Sequence, residues 1–392
     1  MSEVSEKTAV LDRYNAFLYR DENASGGDGP LSGVTIGVKA NIAVKGMPFH
    51  AGIGAWEDRV ADYDAEVVKR LRGAGAAITG IQNMEEGALG SKTDNPHFGP
   101  TQNPHREGYS PGGSSGGSGA AVAAGLCDVA LGTDTMGSVR IPASHCGIYG
   151  FKPATDRVSQ DGLIPADPTL DAIGPLARDL NTLERAARVM SDFGEGPEVG
   201  ASIYQTIDGH GVDVHPEVGA IFERALKARS MTKDDAQSLP WPSSRIRFAG
   251  FIGVSKFMAK DLEGVKVSDH LAKLLTYGPK RSEHDWQDDR KILARIRDEI
   301  AGLVNALGSI ILPTVPNPPF PHSQQEPAAQ ADFTCLANIA GLPAISIPAG
   351  WTKEGLPVGV QIIGEPGNEA GLFREARELD QALGAYRAPE TQ

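Results

Sequence analysis

The sequence predicts an α/β protein, a single large domain spanning 1–392, with a central mixed, mostly parallel β-sheet flanked by helices on both faces. Three observations carry this expectation. A strand, a helix and a strand follow one another between residues 34 and 81; short apolar runs alternate with helical stretches again between 288 and 383; and no segment reads as a linker that would cut the 392 residues apart.

Residues 7 to 20 read as a helix, and Glu22 to Gly33 (ENASGGDGPLSG) as a loop by its Gly, Asp and Ser content. Val34-Thr-Ile-Gly-Val38 is a β-type run ending at Lys39, Asp64 to Ala76 carries Val67, Val68 and Leu71 at helical spacing, and Ala77-Ile-Thr-Gly-Ile81 resumes a strand. That order makes a crossover unit. Further helices are expected at 181–193, where Asn181 and Glu184 stand in capping-box spacing, at 288–307 and at 368–383. The runs 309–313, 343–348 and 358–363 are buried-type strands. Residues 194–285 show little periodicity, and the Pro-rich stretch 313–327 reads as a surface loop, with a pocket rim as the alternative.

Composition narrows the function classes. Hydrophobic residues make up 40% and charged residues 22%, ordinary globular usage, while a net charge of −13 disfavours non-specific binding to nucleic acid or anionic membranes. Cys127, Cys146 and Cys335 lie in apolar surroundings without metal-type spacing, so they read as buried thiols of a reducing compartment. With no leader-like start and no long apolar run, a cytoplasmic protein is expected.

One stretch resists this bland reading. Ser110-Pro-Gly-Gly-Ser-Ser-Gly-Gly-Ser-Gly-Ala-Ala121 has the composition of a flexible linker, yet it runs straight into the small-residue helix 116–126. It lacks the Gly-Lys-Ser/Thr ending of a phosphate loop. Gly112-Gly-Ser114-Ser-Gly116 satisfies a nucleophile-elbow pattern, but the preceding Asn103 to Pro111 is turn-like and not the strand an elbow requires. A helix over 116–126 carries the chain ~16 Å away and an extended run over 128–132 brings it back ~17 Å. The segment delivered there is Gly132-Thr-Asp-Thr-Met-Gly-Ser-Val-Arg140, so turns bearing Ser114 and Ser138 are expected at one end of the sheet. A serine needs a base to become a nucleophile. His145 reads either as that base or as a packed histidine, and Lys39 either as a base with a lowered pKa or as half of a structural ion pair.

Gly37-Val-Lys-Ala-Asn41, Gly112-Gly-Ser-Ser-Gly-Gly-Ser118 and Gly132 to Pro142, in this order and spacing, resemble the amidase signature family. The likeness extends through Gly147 to Pro153, Gly174 to Arg178 and Ala340 to Ala344. It implies a signature core over about 34–190 and a variable substrate-pocket region over about 195–330, where this chain is shorter than many members. It also implies a Ser–cisSer–Lys triad with Ser138 as nucleophile, Ser114 as relay after a cis Gly113–Ser114 peptide, and Lys39 as base. An oxyanion hole would come from the backbone N–H groups of Thr135, Met136, Gly137 and Ser138. Ser115 is implied within the Lys39 network, and an Asp134–Arg140 ion pair bracing the nucleophile turn. Two positions depart from the family pattern: Met136 replaces a glycine and Ala40 an aspartate.

The expected activity is hydrolysis of an amide, urea or carbamate-like bond of a small molecule through an acyl-enzyme, without metal or organic cofactor. The expected partner is the small-molecule substrate alone, with no nucleic acid and no membrane, and homodimerisation is common in the family. Two alternatives stand beside it: the glutamine-hydrolysing A-type subunit of a tRNA-dependent amidotransferase, and an inactive scaffold in which Met136 closes the oxyanion site.

Overall fold

The computed structural model describes residues 12–191, 193–194, 203–208, 211–232 and 236–390. In chain order the first half contains β1 (Phe17–Arg20), β2 (Thr35–Lys39), α1 (Glu66–Gly73), β3 (Ala77–Gln82), a small hairpin of β4 (Asp94–Asn95) and β5 (Gly99–Pro100), α2 (Gly116–Ala123), β6 (Val129–Asp134), α3 (Arg140–His145), β7 (Tyr149–Lys152), β8 (Ala172–Ala177) and α4 (Leu180–Ser191). The second half adds β9 (Ile203–Ile207), α5 (Pro216–Ala228), β10 (Ala236–Gln237), α6 (Ser243–Asp261), α7 (Asp269–Leu275), α8 (Tyr277–Lys280), α9 (Glu283–Leu307), β11 (Gly308–Pro313), α10 (Cys335–Ala340), β12 (Ala344–Trp351), β13 (Pro357–Ile363) and α11 (Glu369–Leu383).

Eleven strands form one mixed sheet in the order β1-β3-β2-β6-β8-β7-β12-β13-β11-β9-β10. Parallel pairing is confined to β3-β2-β6 and β11-β9-β10, and the strands between them pair antiparallel. Every residue of β6, β7, β8 and β13 is buried. Because successive side chains point to opposite faces, continuous burial means that both faces of the sheet are covered. Helix α4 shows how: Leu183, Ala186, Ala187 and Met190 are buried at helical spacing.

Several expectations need correction. The helix expected over 7–20 is not present in its described part, and residues 7–11 lie outside the described residues. The Asp12 carboxylate instead gathers the backbone N–H groups of Tyr14, Ala16 and Phe17, at 3.0, 3.1 and 3.0 Å, and Asn15 sits at φ 51°. This side-chain turn outcompetes the helix and leads into β1. At α4 the cap is Asp179, whose Oδ1 accepts from the Thr182 N–H at 2.8 Å. Glu184 is drawn away to Arg188 and Arg377. Residue 192 and parts of the 195–330 region lie outside the described residues, yet the weakly periodic stretch holds α5 to α8. Nor is 313–327 simply a surface loop: the Phe320 carbonyl accepts from Ser110 N–H at 2.9 Å, His322 N–H donates to Gly108 at 2.8 Å, and Phe320 is buried. The loop covers the Gly/Ser stretch.

Helix α2 is buried along its whole length, which only small residues permit. A methyl on Gly117 would come within 2.3 Å of the Asn83 carbonyl oxygen. Among the described residues, no helix is long and apolar enough to cross a membrane.

All three cysteines are free and buried, and burial pushes their thiols up, Cys127 to about 12. The thiolate is the reactive form. The folded protein is therefore expected to give no fast reaction with a thiol-exchange reagent at pH 8, and three thiols on denaturation; a fast-reacting thiol in the native state contradicts this packing.

Candidate active site

Lys39 is the last residue of β2, and β2 lies between β3 and β6, so its side chain emerges among the turns that follow those strands. It is fully buried. Its Nζ donates to Ser114 Oγ at 2.8 Å and to Thr133 Oγ1 at 2.7 Å. Burial is the largest influence on the amine and lowers its pKa from 10.5 to about 7; the Asp171, Asp134 and Glu85 carboxyls pull the other way. Asn41 Nδ2 supports the same Thr133 hydroxyl at 3.3 Å.

The linker-like stretch is a clamped turn, buried from Ser110 to Ala123. The Gly113–Ser114 peptide is cis. Thr93 holds the turn from one side, its Oγ1 donating to the Gly112 carbonyl at 2.8 Å and accepting from Gly116 N–H at 3.0 Å. Ser110 Oγ donates to the Lys92 carbonyl at 2.8 Å, and Glu85 N–H reaches the Ser114 carbonyl at 3.1 Å. The Glu85 carboxyl accepts from Thr93 N–H, and burial, together with nearby Glu326, pushes it up to about 8.

The second turn, after β6, faces the first. Ser115 Oγ bonds both the carbonyl and the N–H of Thr133, each at 3.2 Å, and a methyl on Gly112 would approach Pro142 Cα to 2.9 Å. Asp134 and Arg140 span this turn as a fully buried pair, with Arg140 Nε to Asp134 Oδ2 at 3.0 Å and Nη2 to Oδ1 at 2.9 Å. Asp134 Oδ2 also accepts from Val139 N–H at 3.2 Å. Burial alone would raise the Asp134 pKa, and the Arg140 charge and hydrogen bonds reverse this and hold it below the usual carboxylate range. Two further Arg140 N–H groups donate to Gln361 Oε1 at 2.6 Å and Asn338 Oδ1 at 2.7 Å. Asn338 in turn donates to the Asp134 carbonyl at 2.8 Å.

Between these anchors the backbone N–H groups of Thr135, Met136, Gly137 and Ser138 donate to no protein group among the described residues. The loop carrying them is pinned by its other atoms. Thr334 Oγ1 donates to the Met136 carbonyl at 2.6 Å, Thr135 Oγ1 to Asp171 Oδ1 at 2.5 Å, and the Gly137 carbonyl accepts from Ile141 N–H at 2.7 Å. Gly137 has φ 138°, and a methyl there would lie 2.2 Å from Thr334 Oγ1, so only glycine fits. The Met136 thioether lies toward α6, with its Cε 3.2 Å from where a Gly250 methyl would sit. Ala40 is buried and its carbonyl accepts from His50 and Ala51 N–H groups.

Ser138 is 9% exposed, and among the described residues its hydroxyl makes no hydrogen bond, to Ser114 or to any other group. The structure therefore brings Lys39 and Ser114 into contact and sets Ser138 on the facing turn without a bond between the serines. His145 is a packed histidine: burial lowers its pKa to about 4, its Nε2 lies 3.3 Å from the Asn317 carbonyl, and Phe320 meets its ring edge-on. Thr133, Asn41, Asp171, Thr334, Asn338 and Gln361 were not among the expected site residues. Only Thr133 and Asn41 carried a signal, as neighbours within the motifs. Among the described residues no cluster of His, Cys, Asp or Glu could hold a metal ion.

The family model described as Amidase matches residues 10–196 and 255–373. The chain belongs to the amidase signature family. It is an enzyme of carbon–nitrogen bond hydrolysis. The A subunit of the glutamyl-tRNA(Gln) amidotransferase of Natronomonas pharaonis is 36% identical over 428 residues, covering 94% of this chain and 100% of that one. The solved structure of the Thermotoga maritima protein of the same name superposes with a TM-score of 0.85 at 30% identity, over 99% of this chain and 93% of that one. A 6-aminohexanoate cyclic dimer hydrolase complexed with substrate superposes at 0.84 with 25% identity, over 99% and 94%. The expectation of a small molecule as the only partner, with no nucleic acid, is overturned by the first two: each relative is named as one subunit of a larger enzyme, and as one whose reaction involves a tRNA.

The lowered Lys39 pKa fixes a sign. Below about pH 7 the lysine is charged in both folded and unfolded chains; between about 7 and 10.5 the unfolded chain holds a proton that the folded one does not, so this residue's contribution to stability rises with pH. Relative to a Lys39→Met variant, the wild-type protein should gain about 1.4 kcal/mol per pH unit across that window. Urea unfolding of both at pH 7.5 and 9.5 measures it, and a constant difference would mean an unshifted lysine.

Proposed function

We propose that this chain is the glutamine-hydrolysing A-type subunit of a tRNA-dependent amidotransferase, releasing ammonia at Ser138. The observation carrying the chemistry is the 2.8 Å contact between Ser114 and a buried lysine whose pKa lies near 7. The assignment to glutamine rests on the identity with the two relatives of that name.

In this reading the neutral Lys39 amine takes the Ser114 proton while Ser114 takes the Ser138 proton, and Ser138 Oγ attacks the carboxamide carbon. This step requires the two serine hydroxyls, which share no bond in this structure, to come within hydrogen-bond distance. Negative charge forming on the carbonyl oxygen is met by the N–H groups of residues 135–138, which have no other acceptor to abandon. The relay then runs backwards: the lysinium proton returns through Ser114 to the leaving nitrogen, and ammonia departs. Water, deprotonated by the same relay, cleaves the ester and regenerates the Ser138 hydroxyl. Ser115 and the Asp134–Arg140 pair hold the two turns and transfer no proton. Met136 does not exclude turnover in this account, because its side chain is directed to α6 while its N–H stays unpaired.

A fluorophosphonate should label Ser138, and Lys39→Ala should lower labelling and turnover ~10²–10⁴-fold, the range for losing a general base. A label on Ser114, or a Lys39→Ala variant near wild-type rate, would remove the assignment. Glutamine hydrolysis should rise when the chain is mixed with its partner subunits and tRNA. Efficient release of ammonia or amine from small amides, with glutamine untouched under all these conditions, would instead make it a small-substrate amidase.

A further inference from the structure

We infer that Asp171 is a positioning residue of this enzyme, a carboxylate that both ties down the oxyanion loop and supplies the negative field in which Lys39 takes up its proton. The inference rests on the reading of Lys39 and Ser138 proposed above, and adds a residue to it.

Asp171 immediately precedes β8, whose first residue pairs with Asp134, so it stands beside the point where β6 gives way to the serine turn. Its side chain is 2% exposed. Oδ1 accepts from Thr135 Oγ1 at 2.5 Å, while Oδ2 accepts from the N–H groups of Ala166 and Asp167 at 2.9 and 3.1 Å. The carboxylate thus joins the first residue of the loop with free N–H groups to a second loop, and Leu170 adds a tie to Asn338 at 3.2 Å.

Its charge is the more telling feature. The other acids that act on Lys39 are held back: Asp134 is covered by Arg140, with Lys152 beyond, and burial beside Glu326 raises the Glu85 pKa to about 8, which disfavours its charged form. Among the described residues no cation forms an ion pair with Asp171, whose only close ionisable neighbour on its own loop is Asp167. Among the carboxyls acting on Lys39, Asp171 has the largest effect. Burial raises its pKa to about 6, and hydrogen bonds from Thr135, Ala166 and Asp167 work against that shift in favour of the charged form. When acylation turns Lys39 into a lysinium within this buried site, Asp171 is the unneutralised negative charge positioned to stabilise it.

Asp171→Asn isolates the charge, because the amide oxygen can accept from the Ala166 and Asp167 N–H groups while the amide nitrogen donates to Thr135 Oγ1. The readout is the rate of fluorophosphonate labelling of Ser138 against pH, which rises as Lys39 loses its proton. In the wild type the midpoint should lie near 7. Asp171→Asn should move it down by roughly one unit and lower the plateau by at most about tenfold, the limit set if the whole loss of basicity reaches the rate. Thr135→Val keeps the carboxyl but removes the hydroxyl that holds it ionised, and should move the midpoint the same way by less. A rate loss with the midpoint unmoved in both variants would make Asp171 a structural tie and overturn the inference, leaving the Ser138 reading intact. Absence of Ser138 labelling in the wild type would overturn both.

Discussion

A lysine held neutral out of water beside two hydroxyls is the constraint around which this fold is arranged. Moving the Lys39 pKa from 10.5 to about 7 is a penalty on the order of 5 kcal/mol. A domain with a large core absorbs that, but only if no carboxylate touches the amine and recharges it. The surrounding sequence obeys the restriction. Polar contacts to Nζ come from Ser114 and Thr133, neutral hydroxyls, and the residue after the lysine is alanine.

The same restriction explains the Asp134–Arg140 pair. The turn carrying Ser138 needs an acceptor for its Val139 N–H, and a carboxylate does this well, but a bare carboxylate there would add its full charge to the pull on Lys39. Arg140 cancels it in place, and Gln361 and Asn338 each accept a further guanidinium N–H. Breaking such a buried pair from one side typically costs 3–5 kcal/mol. The pair is therefore less a source of stability than a way to anchor the turn without adding net charge.

Sequence made the local part of this site legible and left the rest out of sight. Ser114 and Ser138 sit in Gly/Ser-rich turns whose composition is abnormal for the chain, whereas Lys39 ends an ordinary apolar strand and was legible as a base only through the family resemblance. Asn338, Gln361, Thr334 and Asp171 occupy unremarkable contexts, and their roles arise only when remote strands come together. The expected helix over 7–20 failed because Asp12 offers its side chain to three backbone N–H groups, a competition that periodicity does not register. Helix α6 was missed for the opposite reason: Ile246, Ala249, Ile252, Val254 and Met258 are buried on more than one side, so its pattern carries no single face. The loop 313–327 looked superficial because prolines predict irregularity, not depth.

The dependence of the two serine turns on the far end of the chain has a consequence for biosynthesis. Lys39, Ser114 and Ser138 have all been synthesised by position 138, yet Phe320, Thr334, Asn338 and Gln361, which hold the turns in place, are added roughly two hundred residues later. Contacts of such sequence separation form late. A growing polypeptide thus carries Lys39, Ser114 and Ser138 for most of its synthesis without the residues that hold their turns in place, and the buried, clamped arrangement arrives only as the last strands dock.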